Sequence, residues 1–168
     1  MAQAMLTSLV AARGVEAIVA SAGILPGGAA LPVETRDVLT HRGFDGSGVS
    51  RFRSQQLTED LVSGADLVLG MAREHVREVI VSVPEAWDRT FTLKELVRRG
   101  QAGGARHPDE ELRSWLARVG QGRDRGELLG SSLVDDVVDP IGGPPSRFEH
   151  TASEIDGLCR SLTSLLWP

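Results

Sequence analysis

The run Leu67-Val68-Leu69-Gly70-Met71 constrains this chain more than any other stretch. It is apolar throughout and too short for a buried helix. It therefore reads as a strand buried on both faces. A helical pattern follows at once, from about Arg73 to Val81. Arg89–Leu93 then reads as another strand and leads into a helix over Lys94–Arg99. Strands that alternate with helices predict an α/β fold, a small parallel sheet covered on both faces in three α/β/α layers.

The flanking segments fit that expectation. Ala2, Met5, Leu6, Leu9 and Val10 fall on one helical face, and Gly14 can close that helix in a left-handed conformation. No cap residue precedes the face, because the chain begins inside the pattern. Val15–Ala20 is expected as a short strand and Ser21–Leu31 as a Gly-rich loop. Pro32 suits the first turn of a helix running to about His41, with Gly43 just past its end. Phe44–Gln56 is polar and is expected as a loop. Thr58 can cap a short helix through Ser63. At the other end, Ser146 and Glu149 have the S-x-x-E spacing of a capping box. Phe148, Ala152, Ile155, Cys159, Leu162 and Leu166 follow at helical spacing.

The chain has 168 residues, a natural length for one domain with one core. The stretch 100–130, rich in Gly, Arg and Glu, is expected as a surface insertion with a helical piece near 109–119. A net charge of −5 argues against a nucleic-acid partner, which requires a concentrated basic surface. No apolar run approaches the roughly 18–20 residues of a membrane span. No signal peptide is recognisable, and one cysteine excludes an internal disulfide framework, so the expected compartment is the cytoplasm. Of 18 Lys and Arg residues only Lys94 is a lysine, an Arg bias that suggests a high-GC bacterial genome. His41, His75, His107 and His150 have no metal-ligand spacing, and no cofactor is expected.

One loop could carry chemistry. Asp139-Pro140-Ile141-Gly142-Gly143-Pro144-Pro145 sits between an apolar stretch and the last helix. Pro140 biases Asp139 toward extended backbone, and the glycines allow close approach to a ligand. An Asp on such a rim can act as a general acid. Asp-Pro followed by Gly is also an ordinary turn, and the local residues leave both readings open.

The order of elements resembles the low-molecular-weight protein tyrosine phosphatase family. Met1-Ala2-Gln3-Ala4-Met5-Leu6 is similar to the helix directly after that family's phosphate loop. Ser21-Ala22-Gly23 is similar to the end of its second strand. His41 to Asp45, then Gln56-Leu57-Thr58, resemble the region before its third strand. Ala65–Met71 with Arg73-Glu74-His75 resembles that strand and the helix after it. Val138-Asp139-Pro140, Gly142 and Phe148-Glu149 resemble its Asp-Pro loop and final helix.

The resemblance implies a four-stranded sheet and phosphate monoester hydrolysis through a phosphocysteine. In the family, a C-x5-R-[ST] loop supplies the nucleophile. Loop N–H groups and a helix N-terminus bind phosphate and lower the thiol pKa. It also implies that Asp139 is the general acid, that Phe44, Phe52 and Ile141 are rim candidates, and that no metal is needed. Trp87 is a further candidate for an aromatic wall. The partners expected are a phosphorylated protein or a small aryl phosphate.

Two departures matter. Met1 falls where the family continues just after the phosphate loop, so the first central strand and the nucleophile are expected to be missing and the physiological protein longer. Cys159-Arg160-Ser161 imitates the motif, but the sixth residue after Cys159 is Leu165 rather than Arg. Where the family carries Tyr after the Asp-Pro pair, Ile141 and Gly142 stand here, and the chain has no Tyr. The expectation is a phosphatase-like chain that is inactive as given. A non-catalytic interaction protein is the alternative, and an arsenate reductase is a third, disfavoured by the single cysteine.

Overall fold

The computed structural model describes residues 1–44 and 47–168. Asp45 thus lies outside the described residues. The chain divides into two compact units, residues 1–57 with 138–163, and residues 58–137 with 164–168.

In the first unit, α1 (Ala2–Ala12) buries Met5 and Val10, and Gly14 at φ 65° follows it. Val15–Ala20 does not form a strand. A strand exists only through its ladder, and this segment has no partner among the described residues. Ile18 is 100% exposed as a result. Gln3 nevertheless ties the segment to α1. Its Nε2 donates to the Val19 carbonyl at 3.2 Å, and its Oε1 accepts from Ser21 Oγ at 2.6 Å. An isolated parallel bridge, Gly23 with Gln56, closes the Gly-rich loop.

Pro32 precedes α2 (Val33–His41), which buries Val38 and Leu39. The expected loop after it contains a four-residue helix, α3 (Ser47–Ser50).

In the second unit, Thr58 Oγ1 accepts from Leu61 N and caps α4 (Glu59–Ser63) as expected. Strand β1 (Val68–Gly70) runs parallel to β2 (Thr90–Thr92), pairing Leu69 with Phe91. Among the described residues the sheet has these two strands. Val68 and Leu69 are half-buried rather than buried on both faces, whereas all three residues of β2 are buried. Between the strands lie α5 (Arg73–Ser82) and a 3-10 turn (Pro84–Arg89). After β2 come α6 (Leu93–Gly103), with the Thr92 hydroxyl accepting from Glu95 N as its cap, and α7 (Leu112–Val119).

The 100–130 stretch buries Trp115, Leu116, Val119 and Leu128, so it contributes core as well as surface. Trp115 Nε1 donates to the Gly104 carbonyl at 3.0 Å. Arg123 is the polar centre of this core. Its guanidinium lies 3.8 Å from both the Trp87 and Phe91 ring centroids and pairs with Glu95 at 2.8 Å.

The last helix, α8 (Pro145–Leu166), buries Phe148, Ala152, Ile155, Cys159 and Leu162 in the first unit. It starts at Pro145, so Ser146 is already helical and the expected capping box is not the start signal. Proline suits a first turn, because its missing N–H has no partner there anyway. Glu149 instead accepts from Arg42 at 2.9 Å.

Candidate active site

The Asp-Pro loop is built by two local devices within the first unit. Asp139 Oδ1 accepts the Ile141 N–H at 2.9 Å, an Asx turn. Gly143 N donates to the Pro140 carbonyl at 2.9 Å, closing a tight turn over Pro140–Gly143. Gly142 occupies its third position at φ 77°, a conformation that a side chain disfavours. The loop is also tied to the helix that follows, since Thr151 Oγ1 donates to the Val138 carbonyl at 3.2 Å.

Asp139 is exposed. Its Oδ1 is committed to an N–H, and among the described residues Oδ2 makes no hydrogen bond. An oxygen that accepts an N–H disfavours a proton, so Oδ2 is the oxygen that can carry one. Ile141 stands beside it, 66% exposed. Phe44 and Phe52 are half-buried in the same unit, and no hydrogen bond links either to Asp139 among the described residues. Trp87 lies in the other unit with Arg123 against its face, which gives it a packing role.

Cys159 is fully buried on α8. Burial, and then the negative charge of Asp156, push its thiol up to about 12 against the opposing Met1 ammonium. Nucleophilic cysteines depend on a lowered pKa and access, and Cys159 has neither. Burial likewise lowers the pKa of the Met1 ammonium.

The residues leading to the loop are held by a polar cluster in the second unit. Asp135 accepts from Arg73 Nη2 at 2.7 Å and from Arg98 Nη2 at 2.9 Å. Burial raises its carboxyl pKa, but the hydrogen bonds and charges of the two arginines outweigh burial and leave it below the usual carboxylate range. Asp136 Oδ1 accepts the Arg73 N–H at 2.8 Å, and Oδ2 accepts the Ser132 N–H at 2.6 Å. Lys94 Nζ donates to the Asp136 carbonyl at 2.7 Å, and Val137 N to the Met71 carbonyl at 2.7 Å.

His75 completes the turn at the start of α5. Its Nδ1 accepts the N–H groups of Met71 and Ala72, each at 3.2 Å. Residue types alone did not single out these positions. The available signal was place: His75 is the third residue of a helix, where a side chain can reach back to the orphan N–H groups. Among the described residues no group of three His, Cys, Asp or Glu could hold a metal, and no helix is long and apolar enough to cross a membrane.

Comparison with known proteins gives these features a context. The family model described as low molecular weight phosphotyrosine protein phosphatase matches residues 1–121. A protein-arginine-phosphatase of Bacillus subtilis (strain 168) is 28% identical over 168 residues, covering 99% of this chain and 87% of that protein. A probable low molecular weight protein-tyrosine-phosphatase, EpsP, of Ralstonia solanacearum is 38% identical over 96 residues, covering 57% of this chain and 62% of its own. Among solved structures, a low molecular weight protein tyrosine phosphatase from T. tengcongensis superposes with a TM-score of 0.70 at 28% identity, covering 98% of this chain and 88% of that one. The YwlE arginine phosphatase from Geobacillus stearothermophilus gives a TM-score of 0.67 at 28% identity, covering 97% and 80%.

Proposed function

Since the chain belongs to the low molecular weight phosphotyrosine protein phosphatase family, we propose that it carries the general acid and substrate rim of a phosphoprotein phosphatase site, without a nucleophile among its 168 residues. The observation that carries this reading is the Asp139 rim: an exposed carboxyl with one oxygen fixed by Ile141 N and the other open. In the reaction, a thiolate attacks phosphorus and the leaving oxygen or nitrogen departs with a proton from Asp139 Oδ2. The same carboxylate then takes a proton from the water that hydrolyses the phosphocysteine. Ile141, with Phe44 and Phe52 in the same unit, would line the path of the leaving group.

The substrate is a phosphorylated side chain of a protein, and the leaving group is that side chain without its phosphoryl group. Relatives aligned over nearly the whole chain include a protein-arginine-phosphatase and a protein tyrosine phosphatase, and the relative aligned over a shorter stretch is a probable protein-tyrosine-phosphatase. Ile141 at the rim, in a chain without Tyr, favours the aliphatic arginine stem over a phenol. No cofactor is required by this chemistry.

The test is to add an apolar strand and a Cys-x5-Arg-Ser loop ahead of Met1. The extended chain is expected to hydrolyse aryl phosphates. Asp139→Asn should then lower kcat/KM for phenyl phosphate by roughly 10²- to 10⁴-fold while affecting kcat/KM for p-nitrophenyl phosphate, with its better leaving group, far less. Equal losses for both substrates would refute the acid role.

The state of Cys159 favours a second reading, a binding protein that does not turn substrate over. The two differ in one result, since a binding protein would stay inactive even with the loop supplied and the fold intact.

A further inference from the structure

Gly143 is glycine for room rather than for backbone. Its φ is not positive, unlike that of Gly142 beside it. A Cβ added there would stand 2.7 Å from Arg147 Cδ, 2.8 Å from Nε and 2.9 Å from Cζ, closer than real contacts allow. The place of the missing side chain is therefore filled by the Arg147 stem and the inner part of its guanidinium. Arg147 thus lies along the Pro140–Gly143 turn that follows Asp139, all within the first unit.

Nothing in the helix accounts for a cation at this place. Arg147 is the third residue of α8, where the helix dipole disfavours positive charge. The positions three and four further on, where a carboxylate could pair with it, hold His150 and Thr151. Glu149 is taken by Arg42. Among the described residues the exposed Arg147 guanidinium makes no hydrogen bond or ion pair, with Asp139 or with any other group. A planar, permanently charged fork thus lies open at the rim. Its natural complement is a carboxylate, which it can take with two parallel hydrogen bonds. Such a turn spans less than about 7 Å between its first and last Cα atoms. An extended peptide advances about 3.3–3.6 Å per residue, so that span matches roughly two residues of substrate.

We propose that Arg147, shelved on Gly143, is a specificity-determining residue: it takes the carboxylate of an Asp or Glu about two positions from the phosphorylated residue, which makes the substrate class an acidic phosphoprotein segment. The assignment rests on the Asp139 reading for the placing of the phosphorylated residue, and on the contact of Arg147 with Gly143 for the rest.

The test uses the 168-residue chain and two blocked seven-residue peptides centred on phosphoarginine. One carries Glu two positions to either side and the other carries Gln, so the carboxylates alone differ. Binding is followed by nuclear magnetic resonance at the Arg147 Nε–H and the Gly143 N–H. The Glu peptide is expected to bind about two- to fivefold more tightly, the range of an exposed ion pair. In Arg147→Gln, read at Gly143 N–H, that preference should vanish. Gly143→Ala, whose methyl takes the place of the Arg147 stem, should lose it as well.

Equal affinity of the two peptides for the wild type would overturn the proposal. So would a preference that survives in Arg147→Gln, or the absence of a saturable shift with either peptide. None of these readouts involves turnover. A failed acid role would appear in the leaving-group assay and leave the Glu preference standing, whereas a lost preference would leave the leaving-group result standing.

Discussion

Replacing Arg123 with leucine should strip the second unit of its central polar contact. The guanidinium lies 3.8 Å from the centroids of both Trp87 and Phe91 and donates to the carbonyls of Trp87 at 2.9 Å and Thr90 at 2.6 Å. It also pairs with Glu95, and its side chain is 3% exposed. Two desolvated cation–π contacts contribute on the order of 1–2 kcal/mol each. Each carbonyl left without a donor costs about 1–3 kcal/mol. Leucine recovers part of this by filling space. Glu95 still has Arg99 at 3.0 Å, which spares the larger penalty of an unpaired buried carboxylate. The net loss should be about 3–5 kcal/mol, a large share of the 5–15 kcal/mol typical of a domain. At this chain length that lowers Tm by roughly 6–20 °C. Urea unfolding followed by tryptophan fluorescence reads it directly. The double variant Arg123→Leu with Glu95→Leu should recover part of the loss, because an apolar pair can replace a buried ion pair. A loss below about 1 kcal/mol, or a double variant less stable than the sum of the singles, would refute this reasoning.

Further outcomes follow from the same structure. Cys159 should resist a thiol reagent in the folded chain and react at once in urea. Its folded pKa of about 12 lies above that of an unfolded thiol, so its contribution to stability is complete below about pH 8.5 and declines as pH rises toward 12. Urea midpoints of the wild type and Cys159→Ala should therefore converge over that range. Asp135 has the opposite sign: its folded pKa lies below the ordinary value of about 3.9, so its contribution is present above that value and disappears as pH falls through the folded pKa. The stability gap between wild type and Asp135→Asn should be full at pH 6 and vanish at the acid end. Gly142→Ala, at φ 77°, should cost about 1 kcal/mol by thermal melting, while Gly157→Ala, inside α8 with open space around it, should gain a fraction of that.

The elements legible in the sequence are those defined by local pattern. Helical spacing located α1 and α8, the Thr58 hydroxyl caps α4, and the apolar run at Leu67–Met71 contains β1. What was not legible depends on partners distant in the chain. Val15–Ala20 has strand-like residues but no strand to pair with among those described. Glu149 has capping-box spacing and is engaged by Arg42, more than a hundred residues away. Asp139 could be picked out from its Pro and Gly neighbours, yet the cluster at Asp135 and Asp136 joins three separate stretches of chain.

Steady-state turnover of the 168-residue chain on p-nitrophenyl phosphate and on a phosphoarginine peptide tests the central claim most directly. The account predicts no turnover above background, and identical traces for the wild type, Cys159→Ser and Asp139→Asn. Turnover that disappears in Cys159→Ser would contradict it, because the buried thiol would then be the nucleophile.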